Sequence, residues 1–475
     1  MIDLADVSFA YGKSNKGQIS HIDLSIKKGE FILLCGKSAC GKTTVTKCIN
    51  GLIPNFLEGD YEGNVTIGNN RIKELNMYQI AGLVGSVFQN PKTQFFNLDS
   101  DSELVFGLEN IGTAPENIRN RISQVVKELD IENLLHRKVF ELSGGEKQAL
   151  AIASIYAVNP DIYVLDEPTA NIDKDEIALL RKVLIKLKNE GKTIIIAEHR
   201  LYFLLDLIDR AVFIENGVIK KIYTRQEFSS IPDHERRKMG LRVFKNESAI
   251  VDDSNPELDS PQLEIINLSI VRKKNTLLKN VNMVAHSGDI IAITGRNGVG
   301  KSTFMRCLCG LMKETDGQIN FLDHNYRYKR RRELCYMVMQ DVVHQLFTDS
   351  VEEECRQLNK KVSEGDVESL LKSLDLSAFK DKHPMALSGG QKQRLAIAVA
   401  ALSEKEIIVL DEPTSGLDYD NMCRVGKIIK ELSQKHIVFV ITHDEELIKL
   451  VCNRKIELRD GKVLEDVRII NELGT

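Results

Sequence analysis

Two short segments of the chain have the residue types and the spacing of a loop that binds phosphate. One covers residues 36–44 and the other residues 295–303. Each follows an apolar run, "FILLC" or "IIAIT", and opens a helix-forming stretch. Glycines let backbone N–H groups surround phosphate oxygens, a lysine neutralises the β and γ phosphates, and a hydroxyl group binds Mg²⁺. The residues that we expect at these sites are Gly36, Lys37, Ser38, Gly41, Lys42, Thr43 and Thr44 in the first loop, and Gly295, Arg296, Asn297, Gly298, Gly300, Lys301, Ser302 and Thr303 in the second.

An acidic pair ends a further apolar run in each half of the chain. The runs "IYVLDE" and "IIVLDE" place Asp166–Glu167 and Asp411–Glu412 at the ends of predicted buried strands. The aspartates suit a Mg²⁺ shell, together with the hydroxyl groups of the two loops. The glutamates suit a general base that orients or deprotonates an attacking water. A lone acidic pair is usually a strand end that meets solvent, but two pairs after two phosphate loops favour the catalytic interpretation.

A histidine and a glutamine also recur in the same order in both halves. His199 and His443 each end an apolar run, and we interpret them as contacts to the γ-phosphate. Gln89 and Gln340 follow predicted strands, from which a glutamine reaches Mg²⁺ or the attacking water. A lone histidine in such a place is more often a satisfied core or edge residue, so the repetition carries the interpretation.

A second kind of phosphate-binding segment occurs twice. "LSGGEKQALAIA" covers residues 142–153, and "LSGGQKQRLAIA" begins at Leu387. The first N–H groups of a helix have no partner within the helix, so glycines in front of a helical run form an anion cradle. The residues concerned are Ser143, Gly144 and Gly145, and Ser388, Gly389 and Gly390.

The repeated order of these motifs shows that the chain is an internal duplication. We expect a first domain at residues 1–235, a linker at 236–262 that includes the polar stretch "KNESAIVDDSNPELDSPQ", and a second domain at 263–475. Short β-branched runs before glycine-rich turns and helical stretches predict an α/β fold with a mainly parallel sheet in each domain.

Composition excludes several classes of protein. The 475 residues include 64 basic and 68 acidic side chains, and the net charge of −4 offers no electrostatic case for a nucleic-acid partner. Nine cysteines without metal-ligand spacing indicate free thiols and a reducing compartment. No apolar run approaches the roughly 18 residues that a membrane-spanning helix requires, so we expect any membrane contact to be peripheral.

The order of phosphate loop, glutamine, "LSGGQ"-like signature, acidic strand, "ANID" or "SGLD" turn and histidine resembles that of the ATP-binding cassette (ABC) ATPases. The resemblance covers nearly the whole chain twice. It implies two tandem P-loop NTPase domains, each with an antiparallel β region and a helical subdomain, that bind ATP with Mg²⁺. It also implies an intramolecular pseudo-dimer, in which the phosphate loop of one half and the signature of the other enclose each nucleotide.

Under this pairing, four departures from the family pattern fall on the site of the second phosphate loop. Glu146 stands in place of glutamine, Ala149 in place of arginine, and "ANID" in place of "SGLD". Tyr11 occupies the position of the family's adenine-stacking aromatic residue, whereas the second half has Arg272, whose guanidinium plane also stacks on a base. One explanation is neutral sequence drift at positions that tolerate substitution. The other is that the second site hydrolyses ATP more slowly or is coupled differently.

Segments such as "FQNPKTQFF" and "IAEHRLYFL" resemble the fused ATPase subunits of energy-coupling factor importers. This resemblance implies vitamin or metal-ion uptake at the cytoplasmic face of a prokaryotic plasma membrane. The implied partners are a membrane scaffold protein and a substrate-binding membrane protein. The scaffold would place arginines in a groove edged by Asp99, Asp101, Glu103, Glu352 and Glu353. The alternative is a soluble ABC-F ATPase that acts on the ribosome, although such proteins have a longer, charged helical connector.

Overall fold

The computed structural model describes residues 2–12, 14–170, 172–252, 262–272 and 275–472. Asn171 of the "ANID" turn and residues 253–261 of the expected linker lie outside the described residues. The chain divides into two units, Met1–Lys245 and Asn246–Thr475, and each is described by itself.

The first unit contains two sheets. Its strands are β1 (Ile2–Tyr11), β2 (Ser14–Ile26), β3 (Phe31–Cys35), β4 (Asp60–Ile67), β5 (Asn70–Arg71), β6 (Val84–Val87), β7 (Ile162–Asp166), β8 (Thr193–Ala197), β9 (Arg210–Glu215) and β10 (Val218–Thr224). One sheet has the order β10-β9-β3-β8-β7-β6, in which only β10 is antiparallel to its neighbour. The other has the order β2-β1-β4-β5 and is antiparallel.

The helices of the first unit are α1 (Lys42–Ile49), α2 (Leu52–Asn55), α3 (Met77–Leu83), α4 (Ser100–Asn110), α5 (Pro115–Leu129), α6 (Gly144–Val158), α7 (Lys174–Asn189), α8 (Arg225–Ser229) and α9 (Asp233–Lys238). Helix α9 runs past residue 235. Arg236, Met239 and Leu241 are buried in this unit, so the unit includes residues that the sequence analysis assigned to the linker.

The second unit repeats this plan. Its strands are β11 (Leu263–Arg272), β12 (Asn275–Ala285), β13 (Ile290–Thr294), β14 (Asp316–Phe321), β15 (His324–Asn325), β16 (Cys335–Val338), β17 (Ile407–Asp411), β18 (Ile437–Ile441), β19 (Arg454–Arg459) and β20 (Lys462–Arg468). The helices are α10 (Lys301–Leu308), α11 (Arg331–Leu334), α12 (Val351–Arg356), α13 (Glu364–Ser373), α14 (Gly389–Ala401), α15 (Tyr419–Ser433) and α16 (Glu445–Val451). The mainly parallel sheet has the order β16-β17-β18-β13-β19-β20, and the antiparallel sheet the order β12-β11-β14-β15.

The mainly parallel sheet of each unit is covered on both faces. Successive side chains of a strand point to opposite faces. Accordingly, Phe31 and Leu33 of β3 pack in a core with helices such as α5, α6 and α7, whereas Ile32 and Leu34 pack in a core with the antiparallel sheet. Burial on both faces explains why these strands read as continuous apolar runs. The predicted fold class, two tandem α/β P-loop domains, is confirmed.

The described residues include no helix that is both long enough and apolar enough to cross a membrane.

Candidate functional site

The strand order brings the predicted site residues of each unit to one edge of the parallel sheet. In the first unit the neighbouring strands β3, β8, β7 and β6 are followed by the phosphate loop, His199, Glu167 and Gln89, respectively. In the second unit β13, β18, β17 and β16 carry the corresponding residues in the same spatial order. The carboxyl ends of parallel strands form the usual ligand crevice of such sheets.

Each phosphate loop is a tight turn between a buried strand and a helix. A side chain at Gly36 would place its Cβ 2.1 Å from the carbonyl oxygen of Ile214, and one at Gly295 would lie 2.2 Å from that of Leu458. Both glycines also have positive φ angles, so only glycine fits at these positions. The loops lead directly into α1 and α10, and the first N–H groups of a helix, which have no acceptor within the helix, are suited to phosphate oxygens.

The lysine of each loop lies between the loop and the histidine. Lys42 Nζ donates to the carbonyl oxygens of Gly36 (3.2 Å) and Lys37 (3.1 Å) and lies 3.2 Å from Nε2 of His199. In the second unit, Lys301 Nζ lies 2.9 Å from Nε2 of His443. The two units therefore both place a cation and an imidazole together at the phosphate loop.

The hydroxyl group and the aspartate expected to bind Mg²⁺ are in contact. Thr43 Oγ1 donates to Asp166 Oδ1 at 3.0 Å. Burial and the neighbouring Glu167 charge raise the pKa of Asp166 to about 7. Burial also raises the pKa of Asp411, while a hydrogen bond from Ser302 lowers it. Two buried carboxylates with raised pKa values at matching positions are a feature of functional sites.

This donor set fits Mg²⁺ bound together with nucleotide phosphates. Hydroxyl and carboxylate oxygens are hard ligands, and Mg²⁺ is usually held by one or two carboxylates and substrate phosphates. Within the described ranges, no cluster of three or more His, Cys, Asp or Glu side chains could hold a metal ion by itself. These residues would supply part of a Mg²⁺ shell, and a bound nucleotide would have to complete it.

The two glutamates after the acidic strands share an unusual backbone conformation. Glu167 has a φ angle of 46° and Glu412 one of 51°, a left-handed region that non-glycine residues occupy at a cost. Glu167 Oε2 accepts a hydrogen bond from Gln89 Nε2 at 2.6 Å, and its Oε1 lies 3.3 Å from His199 Nε2. Two predicted residues of the first unit, Gln89 and His199, thus converge on the carboxylate of a third.

The second unit repeats the arrangement with longer distances. His443 Nε2 lies 4.0 Å from Glu412 Oε1, and Thr442 Oγ1 lies 3.4 Å from Glu412 Oε2. Gln340 follows β16 at the same edge of the sheet and is exposed.

Comparisons with known proteins agree with this geometry. The family model described as "ABC transporter" matches residues 19–170 and 278–415. The chain belongs to the ABC transporter ATPase family. A putative ABC transporter ATP-binding protein of Treponema denticola is 46% identical over 474 residues, which cover 98% of this chain and 97% of that protein. One of Methanosarcina mazei is 32% identical, with 98% and 95% covered.

Solved structures show the same tandem fold. A model of ribosome-bound archaeal Pelota and ABCE1 contains a chain with a TM-score of 0.71 and 24% identity, which covers 98% of this chain and 78% of that one. A structure titled "RNase-L Inhibitor" has a TM-score of 0.63 and 23% identity, with 98% and 90% covered. At this identity the likeness concerns the fold alone. Family membership makes this chain an ABC ATPase with two ATP-binding domains.

The ABC signature of each unit begins a helix, and its serine caps that helix. Ser143 and Glu146 form a reciprocal capping box at the start of α6, and Ser388 and Gln391 form one at the start of α14. Glu146 therefore performs the capping role of the usual glutamine, and Arg137 Nη1 donates to it at 2.6 Å. Glu146 thus has a structural role within its own unit.

The difference between Ala149 and Arg394 is also one of packing. Arg394 is buried and donates to the carbonyl oxygen of Leu374 (2.9 Å) and to Asn421 Oδ1 (2.7 Å). In the first unit, Ala149 instead lines an apolar cavity of about 30 Å³ between α6 and α7.

The two candidate adenine-stacking residues lie in different surroundings. Tyr11 is partly buried, packs edge-on against Phe9 with ring centroids 4.8 Å apart, and has its hydroxyl group 3.4 Å from Thr44 Oγ1. The aromatic ring therefore lies beside the start of α1, close to the phosphate loop. Arg272 is exposed at the end of β11, opposite Asn275.

Two buried glutamates beside these sites were not recognised from the sequence as structural residues. Glu198 precedes His199, and Glu103 lies in α4; they are 3% and 4% exposed. The sequence does offer one signal for Glu198. The two halves differ directly before the histidine, where the first has this glutamate and the second has Thr442.

Proposed function

We propose that this ABC ATPase powers a membrane importer of the energy-coupling factor type and hydrolyses ATP at sites in both units. The observation that carries the enzymatic part is the convergence of Gln89 and His199 on Glu167, with His199 also next to Lys42 of the phosphate loop. The importer part rests on the motif resemblance and on an exposed apolar surface that follows each glutamine.

In this proposal, Glu167 and Glu412 are the general bases. Glu167 Oε2 would accept a proton from the attacking water, while Gln89 and His199 hold the carboxylate in place. Lys42 and Lys301 would neutralise phosphate charge. Thr43 and Asp166, and Ser302 and Asp411, would hold Mg²⁺, which neutralises the charge on the β and γ phosphates when bound.

We also propose that the signature of each unit completes the nucleotide site of the other. The support is the family resemblance together with the position of the signature glycines at the start of long helices. This pairing would explain why a chain with two phosphate loops also has two signatures.

Four of the five acidic residues expected to form a groove have partners within their own unit. Glu103 is buried and accepts hydrogen bonds from the backbone N–H groups of Phe96 (3.1 Å) and Asn97 (2.9 Å), so its interpretation as a groove-edge residue is wrong. Glu354 has the same role in the second unit, where it accepts from Phe347 and Thr348, both at 2.9 Å.

The remaining acidic residues of the expected groove stabilise their own helices or loops, with the exception of Glu353. Asp99 caps α4, Asp101 accepts from the N–H group of His136 at 2.6 Å, and Glu352 is paired with Arg356 and Lys380. Glu353 is exposed at the start of α12.

Apolar side chains are exposed to solvent near the buried glutamates. In the first unit we call Phe96, Leu98 and Phe140 the apolar docking surface; they are 77%, 77% and 66% exposed. Leu98 and Phe140 are neighbours because the carbonyl oxygen of Leu98 accepts from Val139 N at 2.8 Å. Phe347 and Met385 are exposed at the corresponding places of the second unit. Exposed apolar patches of this kind mark interaction sites.

The partner that fits this surface is an amphipathic cytoplasmic helix of a membrane scaffold protein. Such a helix would lay its apolar face on the aromatic side chains, and burial of one such side chain contributes about 1.5–3 kcal/mol. Phe96 and Leu98 of this surface follow Gln89 closely in the chain, so a short segment joins them to the proposed catalytic carboxylate.

The test is affinity purification of the whole protein from its own cells in mild detergent, followed by mass spectrometry. We expect a stoichiometric multi-span membrane protein together with a smaller one. The double variant Phe96→Ser, Leu98→Ser should lose both partners, because binding no longer buries these two apolar side chains.

Phe56→Ser is the matched control, since Phe56 is 73% exposed in the same unit but lies at the end of α2. It should retain both partners. Recovery of ribosomal proteins instead of membrane proteins would contradict the importer and favour the ABC-F alternative. Equal loss in the control and the double variant would contradict the docking surface.

A further inference from the structure

Glu198 forms a bridge between two segments of the first unit that carry proposed catalytic residues. Its Oε2 accepts hydrogen bonds from the backbone N–H group (3.2 Å) and the hydroxyl group (2.7 Å) of Thr169. Its Oε1 accepts from the backbone N–H groups of His199 (2.7 Å) and Arg200 (3.0 Å). One carboxylate thus joins the turn after Glu167 to the segment that contains the histidine.

A carboxylate in this position requires these donors. Transfer of an ionised group from water to the protein interior is costly unless it is hydrogen-bonded or paired. Burial raises the pKa of Glu198, while the bonds from Thr169 and Arg200 lower it. Loss of the donors on one side would leave a buried charge half satisfied, so the two segments are constrained to move together.

The bridge acts next to the proposed general base. The backbone N–H group of Glu167 donates to the carbonyl oxygen of Ala197 at 2.8 Å, directly before Glu198. Thr169 lies two residues after Glu167, whose left-handed backbone conformation must be held by its surroundings. Contacts on both sides of Glu167 therefore fix it to the end of β8.

The second unit makes the equivalent contact through a different residue. Thr442 and Asp444 flank His443, where the first unit has Glu198 and Arg200. Asp444 Oδ2 accepts from the hydroxyl group of Thr414 at 2.7 Å, and the N–H group of Asp444 donates to Thr442 Oγ1 at 3.0 Å. In both units a buried carboxylate beside the histidine binds the threonine of the turn. The carboxylate precedes the histidine in the first unit and follows it in the second.

We propose that Glu198 is a positioning residue of the first unit, which holds the turn after Glu167 to the backbone of His199. This proposal rests on the roles proposed above for Glu167 and His199. In this proposal Glu198 contacts neither the attacking water nor the phosphate. Its contribution is to keep the general base and the histidine at one distance during turnover.

The test is a double-mutant cycle in the full-length protein. Glu198→Ala removes the bridging carboxylate, and Thr169→Val removes the 2.7 Å bond from the Thr169 hydroxyl group while the backbone N–H of residue 169 remains. We expect each to lower kcat for ATP hydrolysis roughly tenfold with little change in KM, because misplacement of a catalytic group by about 1 Å costs as much as 10²-fold. The double variant should lose no more than Glu198→Ala alone, since residues that act through one contact are not additive.

Glu30→Ala is the matched structural control. Glu30 also accepts several hydrogen bonds, from Lys27 N (2.8 Å) and from Arg210 Nε (2.5 Å), but it lies at the opposite edge of the sheet. This variant should lower the melting temperature without changing kcat well below that temperature. Glu198→Gln keeps the shape and half of the accepting capacity, so it should have an intermediate kcat.

Several outcomes would overturn the proposal. These are wild-type kcat in Glu198→Ala, fully additive losses in the cycle, or a loss that follows the melting temperature in the same way as in Glu30→Ala. Glu167→Gln, measured in parallel, separates the two proposals. Full activity in that variant would refute the role of Glu167 itself, whereas its loss with an unaffected Glu198→Ala would refute the bridge alone.

Discussion

At the scale of single residues, the two units hold their proposed general bases differently. Glu167 has Gln89 at 2.6 Å and His199 at 3.3 Å. Glu412 has His443 at 4.0 Å and the Thr442 hydroxyl group at 3.4 Å. A base within hydrogen-bond reach of its orienting groups is better prepared for proton transfer. The histidine lies closer to the proposed base in the first unit than in the second.

This difference predicts unequal effects of removing the two bases. Glu167→Gln should lower ATP turnover by about 10²-fold or more, which is the usual contribution of a general base, and Glu412→Gln should lower it less. Steady-state phosphate release by the two purified variants measures this. Nucleotide binding of both variants serves as the control, since glutamine retains the shape of the side chain. Equal losses would contradict the asymmetry.

The same scale explains two of the departures in the first signature. Glu146 makes the same capping bonds as glutamine. Arg394, the counterpart of Ala149, donates hydrogen bonds to Leu374 and Asn421 of its own unit. These two positions therefore differ for reasons of capping and packing within one unit. A slower second site stays a prediction, and the kinetic comparison above decides between it and drift.

At the scale of elements, one glutamate joins three helices of the first unit. Glu128 near the end of α5 accepts from the Tyr156 hydroxyl group of α6 at 2.8 Å and is paired with Lys186 of α7 at 2.7 Å. Burial raises the pKa of Glu128, but the hydrogen bonds from Lys186, Gln124 and Tyr156 outweigh this and lower the pKa to about 2. The helical layer that carries the first signature is held in part by this carboxylate.

The lowered pKa predicts how acid affects this layer. The ionised carboxylate stabilises the fold above its ordinary pKa of 4.5, and this contribution is lost as the pH falls from there to about 2. Glu128→Gln should lower the free energy of unfolding by about 1 kcal/mol at neutral pH and by about 0.4 kcal/mol near pH 3. Urea unfolding at both pH values measures this.

Glu132→Gln is a suitable control for this experiment, because Glu132 is exposed four residues further along the chain. Its effect on the free energy of unfolding should be small at both pH values. A Glu128→Gln difference that stays constant with pH would show that the helices do not depend on the ionised carboxylate.

At the scale of the whole molecule, each unit has its own hydrophobic cores. The first unit extends to Lys245 because Arg236, Met239 and Leu241 are buried, and Arg236 Nη1 donates to the carbonyl oxygen of Leu241 at 2.5 Å. The expected domain end at residue 235 stays a prediction, and these buried side chains favour the later end.

The later end predicts the stability of separated units. A fragment of residues 1–245 should unfold cooperatively, whereas a fragment of residues 1–235 should melt at a lower temperature. Burial of Met239 and Leu241 contributes about 1.5–3 kcal/mol each, and the shorter fragment loses both. A fragment of residues 1–248 is the control, because residues 245–248 are exposed. Thermal unfolding followed by circular dichroism tests this, and equal melting temperatures for the fragments ending at 235 and 245 would contradict it.

The sequence by itself determined the parts of the site that are contiguous in the chain. A phosphate loop is a strand, a glycine-rich turn and a helix in direct succession, so local residue types are enough to recognise it. The same holds for the acidic strand ends and the serine–glycine starts of α6 and α14. Repetition of these motifs in one order also predicted two α/β domains with mainly parallel sheets.

Only the tertiary structure decided which residues meet across the sheet. The order β3-β8-β7-β6 places the end of β8 between the phosphate loop and the turn after Glu167, and no local pattern encodes this neighbourhood. For that reason Glu198 was not recognised from the sequence, and Glu103 was assigned to solvent although it holds the Phe96 backbone. Hydrogen bonds between distant segments depend on strand order, and strand order results from the packing of the whole unit.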